Sequence, residues 1–212
     1  MSDPTPLGKP RPQAIGDPAP GLLVLASASP RRHALLRRAG VAFEARSAEL
    51  DETPRAGETP RETLARLALA KALAVAAQID GPGRLVLGAD TGVLLGERLF
   101  GKPRDPADAL DMLGQLAGRT HRVITAVAIA EGTGQRVWQC SVTSHVTLCF
   151  ASRDDLARYV ATGEPLDKAG AYAFQGEGRR FVSKVEGSET NVIGLPLEET
   201  LALLACARGA AP

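Results

Sequence analysis

Aromatic side chains are scarce in this chain, at 4% of 212 residues, and its charges nearly cancel, 25 Lys and Arg against 24 Asp and Glu for a net +1. With no basic stripe interleaved with aromatics, no nucleic-acid partner is expected, and any phosphate-binding role has to rest on locally placed cations. Cysteine is sparse too. Cys140, Cys149 and Cys206 are too scattered for a zinc site and odd in number, which predicts a reduced, cytoplasmic protein. No apolar run approaches the ~18 residues of a membrane span. The richest stretch, Leu64 to Ile79, is broken by Arg66 and Lys71, so no membrane partner is expected either. A Gly-x-Ser-x-Gly elbow and a Walker loop are both missing, which argues against serine hydrolases and P-loop enzymes, and His33, His121 and His145 lack metal-ligand spacing.

What is present is ample apolar material, 44% of the chain, enough for one large domain or two small lobes around a buried core. Residues 1–20 hold six prolines and no apolar core of the signal-peptide kind, which predicts a disordered leader ahead of a single domain over residues 21–208. Short apolar runs then alternate with helical stretches, the pattern of an α/β protein. Leu22 to Ala26 reads as a buried strand, followed by a helix to Ala39 with Ser29 as N-cap and Pro30 at its first position. Val41 to Arg46 reads as a strand. Thr59-Pro60-Arg61-Glu62 is a capping box that opens the longest helix, to about Gln78. Arg84 to Leu95 holds a strand, Leu85 to Gly88, that ends at Asp90, and a helix runs from Asp105-Pro106 to about Ala117. Arg122 to Ala130 and Arg136 to Phe150 form a hairpin about Glu131-Gly132-Thr133-Gly134. Ser152 caps a helix to about Thr162, Phe181 to Glu186 and Thr190 to Ile193 read as strands, and a last helix starts at Pro196. This order favours one mixed sheet with flanking helices, in two lobes around a cleft.

Three groups of residues carry chemistry. In Ser27-Ala28-Ser29-Pro30-Arg31-Arg32, two arginines occupy the first turn of a helix, where the macrodipole disfavours cations. A phosphate would resolve the conflict, cradled by Ser29 and free N–H groups and forked by Arg31 and Arg32; alternatively both arginines point into water. Lys71 falls among Leu64, Leu67, Ala68 and Val75, about 140° around the helix from Arg66. There it must snorkel or meet an anion. Lys102, in the rigid Gly101-Lys102-Pro103, is a second cation, or else an exposed loop lysine. Asp90 closes a buried strand, where α/β sheets place their ligands, and Glu52 lies on a loop. Hard carboxylate oxygens suit Mg²⁺ or Mn²⁺, which suit phosphates; a turn-capping role for Asp90 and a solvated one for Glu52 are the structural alternatives.

Longer motifs go beyond these inferences. Leu25-Ala26-Ser27-Ala28-Ser29-Pro30-Arg31-Arg32, Gly88-Ala89-Asp90-Thr91, Gly101-Lys102-Pro103-Arg104-Asp105 and Leu116-Ala117-Gly118-Arg119-Thr120-His121 are followed by Gly163-Glu164-Pro165-Leu166-Asp167-Lys168-Ala169-Gly170-Ala171-Tyr172, Gln175-Gly176 and Gly194-Leu195-Pro196-Leu197. In that order, from about Leu22 to Leu204, the chain resembles the Maf family of nucleoside triphosphate pyrophosphatases.

The resemblance implies an elongated mixed sheet in two lobes, similar to the inosine triphosphate pyrophosphatases, with the nucleotide in the cleft. It implies hydrolysis of a nucleoside triphosphate to monophosphate and pyrophosphate with a divalent cation, Mg²⁺ or Mn²⁺. The family's catalytic carboxylate, usually assigned as proton acceptor, falls on Asp90, its acidic partner on Glu52, its lysines on Lys71 and Lys102, and its specificity positions on Arg31, Thr91 and Gln175. Glu52 and Asp90 are thereby the expected metal ligands. Ala89-Asp90-Thr91 and Tyr172-Ala173-Phe174-Gln175-Gly176 look like the branch acting on dTTP and UTP, whereas the branch acting on 7-methylguanosine triphosphate typically has Ser-Asp-Gln. Three positions depart from the family pattern: Gly92 in place of a β-branched residue, Ala173-Phe174 in place of Gly-Ile, and Glu189 in place of Tyr. The alternatives are the 7-methylguanosine branch and a nucleotide-binding regulator of cell division or septum formation; a homodimer is the assembly this reading admits.

Overall fold

The computed structural model describes residues 22–47, 49–79, 83–132 and 134–209. The expected leader, residues 1–20, and Thr133 of the hairpin turn lie outside them. Strand β1 (Leu23–Ala26) is buried along its whole length, each fully buried Leu or Val adding about 1.5–3 kcal/mol to stability. Helix α1 (Pro30–Arg38) carries the chain to β2 (Phe43–Arg46), and α2 (Pro60–Ala76) carries it back to β3 (Leu85–Leu95). Both β2 and β3 pair parallel with β1, as strands joined by helical crossovers can. The capping box forms: Thr59 Oγ1 accepts from the Glu62 N–H at 3.3 Å and Glu62 Oε2 from the Thr59 N–H at 2.8 Å.

A short β4 (Arg98–Phe100) turns back on β3, and α3 (Pro106–Leu116) leads to a long hairpin of β5 (Thr120–Glu131) and β6 (Val137–Leu148). Helix α4 (Arg153–Ala161) and three 3₁₀ turns, Glu164–Asp167, Ala169–Ala171 and Glu177–Phe181, precede β7 (Val182–Glu186). Helices α5 (Glu189–Ile193) and α6 (Leu197–Ala207) end the described chain. The sheet is mixed, in the order β2-β1-β3-β5-β6-β7 with β4 on β3. Among the described residues no helix is long and apolar enough to cross a membrane.

Alternate side chains of a strand face opposite sides of a sheet, and β3 uses both. Val86 and Leu94 pack under α2 with Ile124, Ala126 and Ala128 of β5. Leu85, Leu87 and Ala89 face α1 and α6. On that second face the apolar run passes to a different cluster at Val93 and Val123, built with α3, α4 and the 3₁₀ turns. Between the two clusters stand Thr91 and Thr125, register partners whose hydroxyls meet at 2.9 Å. On this face the core is split in two, while the cluster under α2 runs unbroken from Val86 to Leu94.

Two expectations are corrected. The strand from Leu85 does not end at Asp90 but runs on to Leu95, because Thr91 to Leu94 continue the antiparallel ladder with β5. Thr190 to Ile193 is helical, not extended. Its β-branched residues suggested a strand, but Ser188 caps the turn on the Asn191 N–H at 3.1 Å, and the buried Asn191 amide donates to the Val123 carbonyl and Ser144 Oγ. Strand β4 was not anticipated; three residues are too few to carry a period.

Candidate functional site

Strand β1 pairs with β3 only as far as Leu87, and β4 first pairs at Val93. Between them this edge of β3 opens on a cavity of about 660 Å³, beyond the carboxyl end of β1 where α/β sheets bind ligands. The cavity is lined by Ser29, Arg31, Arg32, Glu52, Lys71, Asp90, Thr91, Lys102 and Gln175, so the candidate catalytic, binding and metal-ligating residues named from the sequence lie on one surface.

Asp90 is brought to that surface by a close approach of α2 to β3. A Cβ at Gly88 would collide with the Ala68 carbonyl oxygen and the Ala72 nitrogen, so only glycine lets the helix lie this near. Lys71, on the same helix face, resolves its apolar surroundings by meeting anions: Nζ is 2.5 Å from Asp90 Oδ1 and 2.6 Å from Glu52 Oε1. The lysine and Asp90 side chains are 15% and 14% exposed, Glu52 57%, so Asp90 is the sequestered carboxylate and Glu52 the open one. Burial works to raise the Glu52 carboxyl, but Lys71, with Lys102 and Arg32, holds it below its ordinary value. Arg66 fastens the loop that carries Glu52. Its guanidinium donates to Glu58 Oε1 at 2.5 Å, Oε2 at 2.8 Å and the Thr53 carbonyl at 3.1 Å, and the Glu58 carboxyl falls to about 2, chiefly through Arg66.

Neither arginine at the start of α1 simply points into water. Arg32 donates from Nε to the Gly194 carbonyl at 2.9 Å, from Nη1 to Ser27 Oγ at 3.2 Å and from Nη2 to Thr91 Oγ1 at 3.1 Å. Burial lowers its guanidinium from the ordinary value; Asp90 opposes this, Arg31 adds to it and Glu52 opposes it. Arg31 Nη1 reaches across the cleft to Asp167 Oδ2 at 3.1 Å. Ser29 is the N-cap by position, yet its side chain makes no capping bond, and its N–H donates to Ser27 Oγ at 3.2 Å.

Lys102 and Gln175 are exposed at the cavity mouth. Residue-by-residue reasoning missed Asp167, Lys168, Tyr172 and Phe174, which also line it. Their signal is the Gly163 to Tyr172 motif and, for Phe174, the Tyr172 to Gly176 motif, both read for the family and not residue by residue. Lys168 Nζ is 2.5 Å from Asp167 Oδ1. At Gly92 a side chain would overlap Leu99 Cδ1 and crowd Leu64, so Leu99 occupies the room a β-branched residue would need. Glu189 is exposed and does not line the cavity.

Among the described residues, no group of three or more His, Cys, Asp or Glu could hold a metal alone. Glu52 and Asp90 do offer hard carboxylate oxygens, both turned to Lys71 Nζ, and Mg²⁺ characteristically takes one or two carboxylates beside phosphate and water oxygens.

The model of the family described as Maf-like protein matches residues 22–207. The dTTP/UTP pyrophosphatase of Myxococcus xanthus is 51% identical over 183 residues, covering 86% of this chain and 91% of its own length. That of Xanthomonas campestris is 48% identical over 185 residues, with 86% and 97% covered, and that of Shewanella denitrificans 50% over 188 residues, with 86% and 94% covered. A solved nucleoside-triphosphatase / dITP/XTP pyrophosphatase from Mycobacterium abscessus superposes with a TM-score of 0.39 at 16% identity, covering 88% of this chain and 94% of that one, a likeness too loose to bear on the site.

Proposed function

The chain belongs to the Maf-like protein family, and on that premise we propose that it hydrolyses a nucleoside triphosphate, dTTP or UTP by preference, to the monophosphate and pyrophosphate. The observation that carries this reading is one cavity gathering five cations, Arg31, Arg32, Lys71, Lys102 and Lys168, with three carboxylates, Glu52, Asp90 and Asp167. The cations offset the charge of a triphosphate, and Glu52 and Asp90 would be repelled by it unless they served metal binding or proton transfer.

On this reading Arg31 and Lys102 offset charge on the β- and γ-phosphates, which leave together. Arg32, held by Ser27, Thr91 and Gly194, lends fixed positive charge beside Ser29 and the α1 N-terminus. Water attacks the α-phosphorus, the bond from that phosphorus to the bridging oxygen breaks, and the Asp90 carboxylate accepts the proton. Glu52 and Asp90 would hold Mg²⁺ or Mn²⁺, which when bound draws negative charge from the phosphate oxygens. Thr91 and Gln175 read the base, the Gln175 carboxamide both donating to and accepting from a pyrimidine edge. We place the enzyme in the reducing cytoplasm, in keeping with its free Cys140, Cys149 and Cys206.

A panel of common and modified nucleoside triphosphates, assayed for pyrophosphate release with Mg²⁺ or Mn²⁺, tests the reading. It expects dTTP and UTP to be the best substrates. Preference for 7-methylguanosine triphosphate would overturn the branch, and inertness toward the whole panel would overturn the activity and favour a nucleotide-binding regulator.

A further inference from the structure

The segment from Ala173 to Gly176, which carries Gln175, belongs to no strand or helix. One carboxylate ties both of its ends. Glu164 Oε2 accepts the Glu177 N–H at 3.0 Å, and Oε1 accepts the Gly178 N–H at 2.9 Å and the Tyr159 hydroxyl at 2.8 Å. Tyr159 Oη in turn accepts the Ala173 N–H at 3.2 Å. The anchored amides therefore bracket Phe174 and Gln175 on both sides.

The bracket is tight. Gly176 has φ 81° and ψ −151°, a backbone open in practice only to glycine, and a Cβ there would collide with Glu164 Oε2. Tyr159, fully buried on α4, cannot follow the segment if it moves. Burial works to raise the Glu164 carboxyl, and the Gly178 N–H, the Tyr159 hydroxyl and the Glu177 N–H outweigh it, leaving the group below its ordinary value and ionised at neutral pH. An ionised carboxylate only accepts, which suits three donors converging on it. Farther along the same turn, the Arg179 guanidinium lies 5.0 Å from the Phe174 ring centroid and adds a second restraint.

We propose that Glu164 is a positioning residue for nucleobase selection: through the Tyr159 hydroxyl and the two amides it fixes the segment that presents Gln175, while the grip on the triphosphate does not depend on it. This rests on the placement of Gln175 at the base. Glu164 itself need not touch the nucleotide.

The test is calorimetric binding, with Mg²⁺, of two probes: a uridine triphosphate with a methylene bridge between the α- and β-phosphorus atoms, and tripolyphosphate. Wild type is compared with Glu164→Gln, Tyr159→Phe, Gln175→Ala and the Glu164→Gln/Gln175→Ala double variant. Glutamine keeps the size of Glu164 but sets an amide donor against an N–H donor. Glu164→Gln should weaken the uridine probe about tenfold and Tyr159→Phe about threefold, with tripolyphosphate affinity changed less than about twofold. The double variant should bind no more weakly than Gln175→Ala alone, because the two residues act through one contact. Additive losses, or equal weakening of tripolyphosphate, would overturn the positioning role alone. Wild-type affinity in Gln175→Ala would instead overturn the placement of Gln175 and this inference with it. Should Glu164→Gln fail to fold, Tyr159→Phe alone and combined with Gln175→Ala carries the same comparison.

Discussion

Lys71 Nζ donates to Asp90 Oδ1 at 2.5 Å, joining the middle of α2 to the middle of the central strand β3 in a nearly closed environment. Removing one partner leaves the other charge without its counter-ion. Lys71→Met should therefore lower unfolding free energy by about 2–3 kcal/mol, discounted from a fully buried pair because the side chains keep some exposure. Lys71→Met/Asp90→Asn should recover part of that loss. Urea titrations of the two single variants and the double variant decide it; strictly additive losses would mean that the pair does not interact.

Asp90→Asn keeps the shape of the side chain and removes the charge that the proposed mechanism uses to accept a proton or bind a cation. The turnover rate should fall about a hundredfold or more, with folding retained. Steady-state kinetics beside a thermal melt make the comparison, and near-normal turnover would take Asp90 out of the chemistry.

Arg32 meets three acceptors with a planar fork, and no ammonium can satisfy all three. Arg32→Lys should lower kcat/KM at least about tenfold although the charge is kept. An unchanged kcat/KM would show that the charge alone is used.

Much of this site was legible in the sequence because its residues break local rules. A lysine on an apolar helix face, two arginines at a helix start and a carboxylate on a buried strand each needed a partner, and the cavity gathers them. Thr91 and Gln175 break no such rule and came only from the family motifs. The Arg66 fastening of the Glu52 loop and the Glu164 bracket remained hidden because they are made by tertiary contacts between surface-type residues. The same holds for the fold. The capping box at Thr59 is local and was readable, whereas the helix over Glu189–Ile193 depends on Asn191 reaching Val123 and Ser144, 68 and 47 residues away.

His121 is buried with Nε2 2.8 Å from the Tyr172 hydroxyl, and burial depresses its imidazole from 6.5 to about 4. The unfolded chain therefore binds the proton first, so stability is full above the unfolded value and is lost as pH falls toward the folded one. This residue alone should cost about 2 kcal/mol between pH 7 and pH 5. Urea midpoints across that window should slope for the wild type and flatten for His121→Gln; identical slopes would remove His121 as the source.

The central claim, that the α–β bond is the one cleaved, is tested most directly by phosphorus NMR of the products formed from dTTP in the presence of Mg²⁺. Thymidine monophosphate and pyrophosphate in equal amounts are the predicted result; thymidine diphosphate with orthophosphate would contradict it.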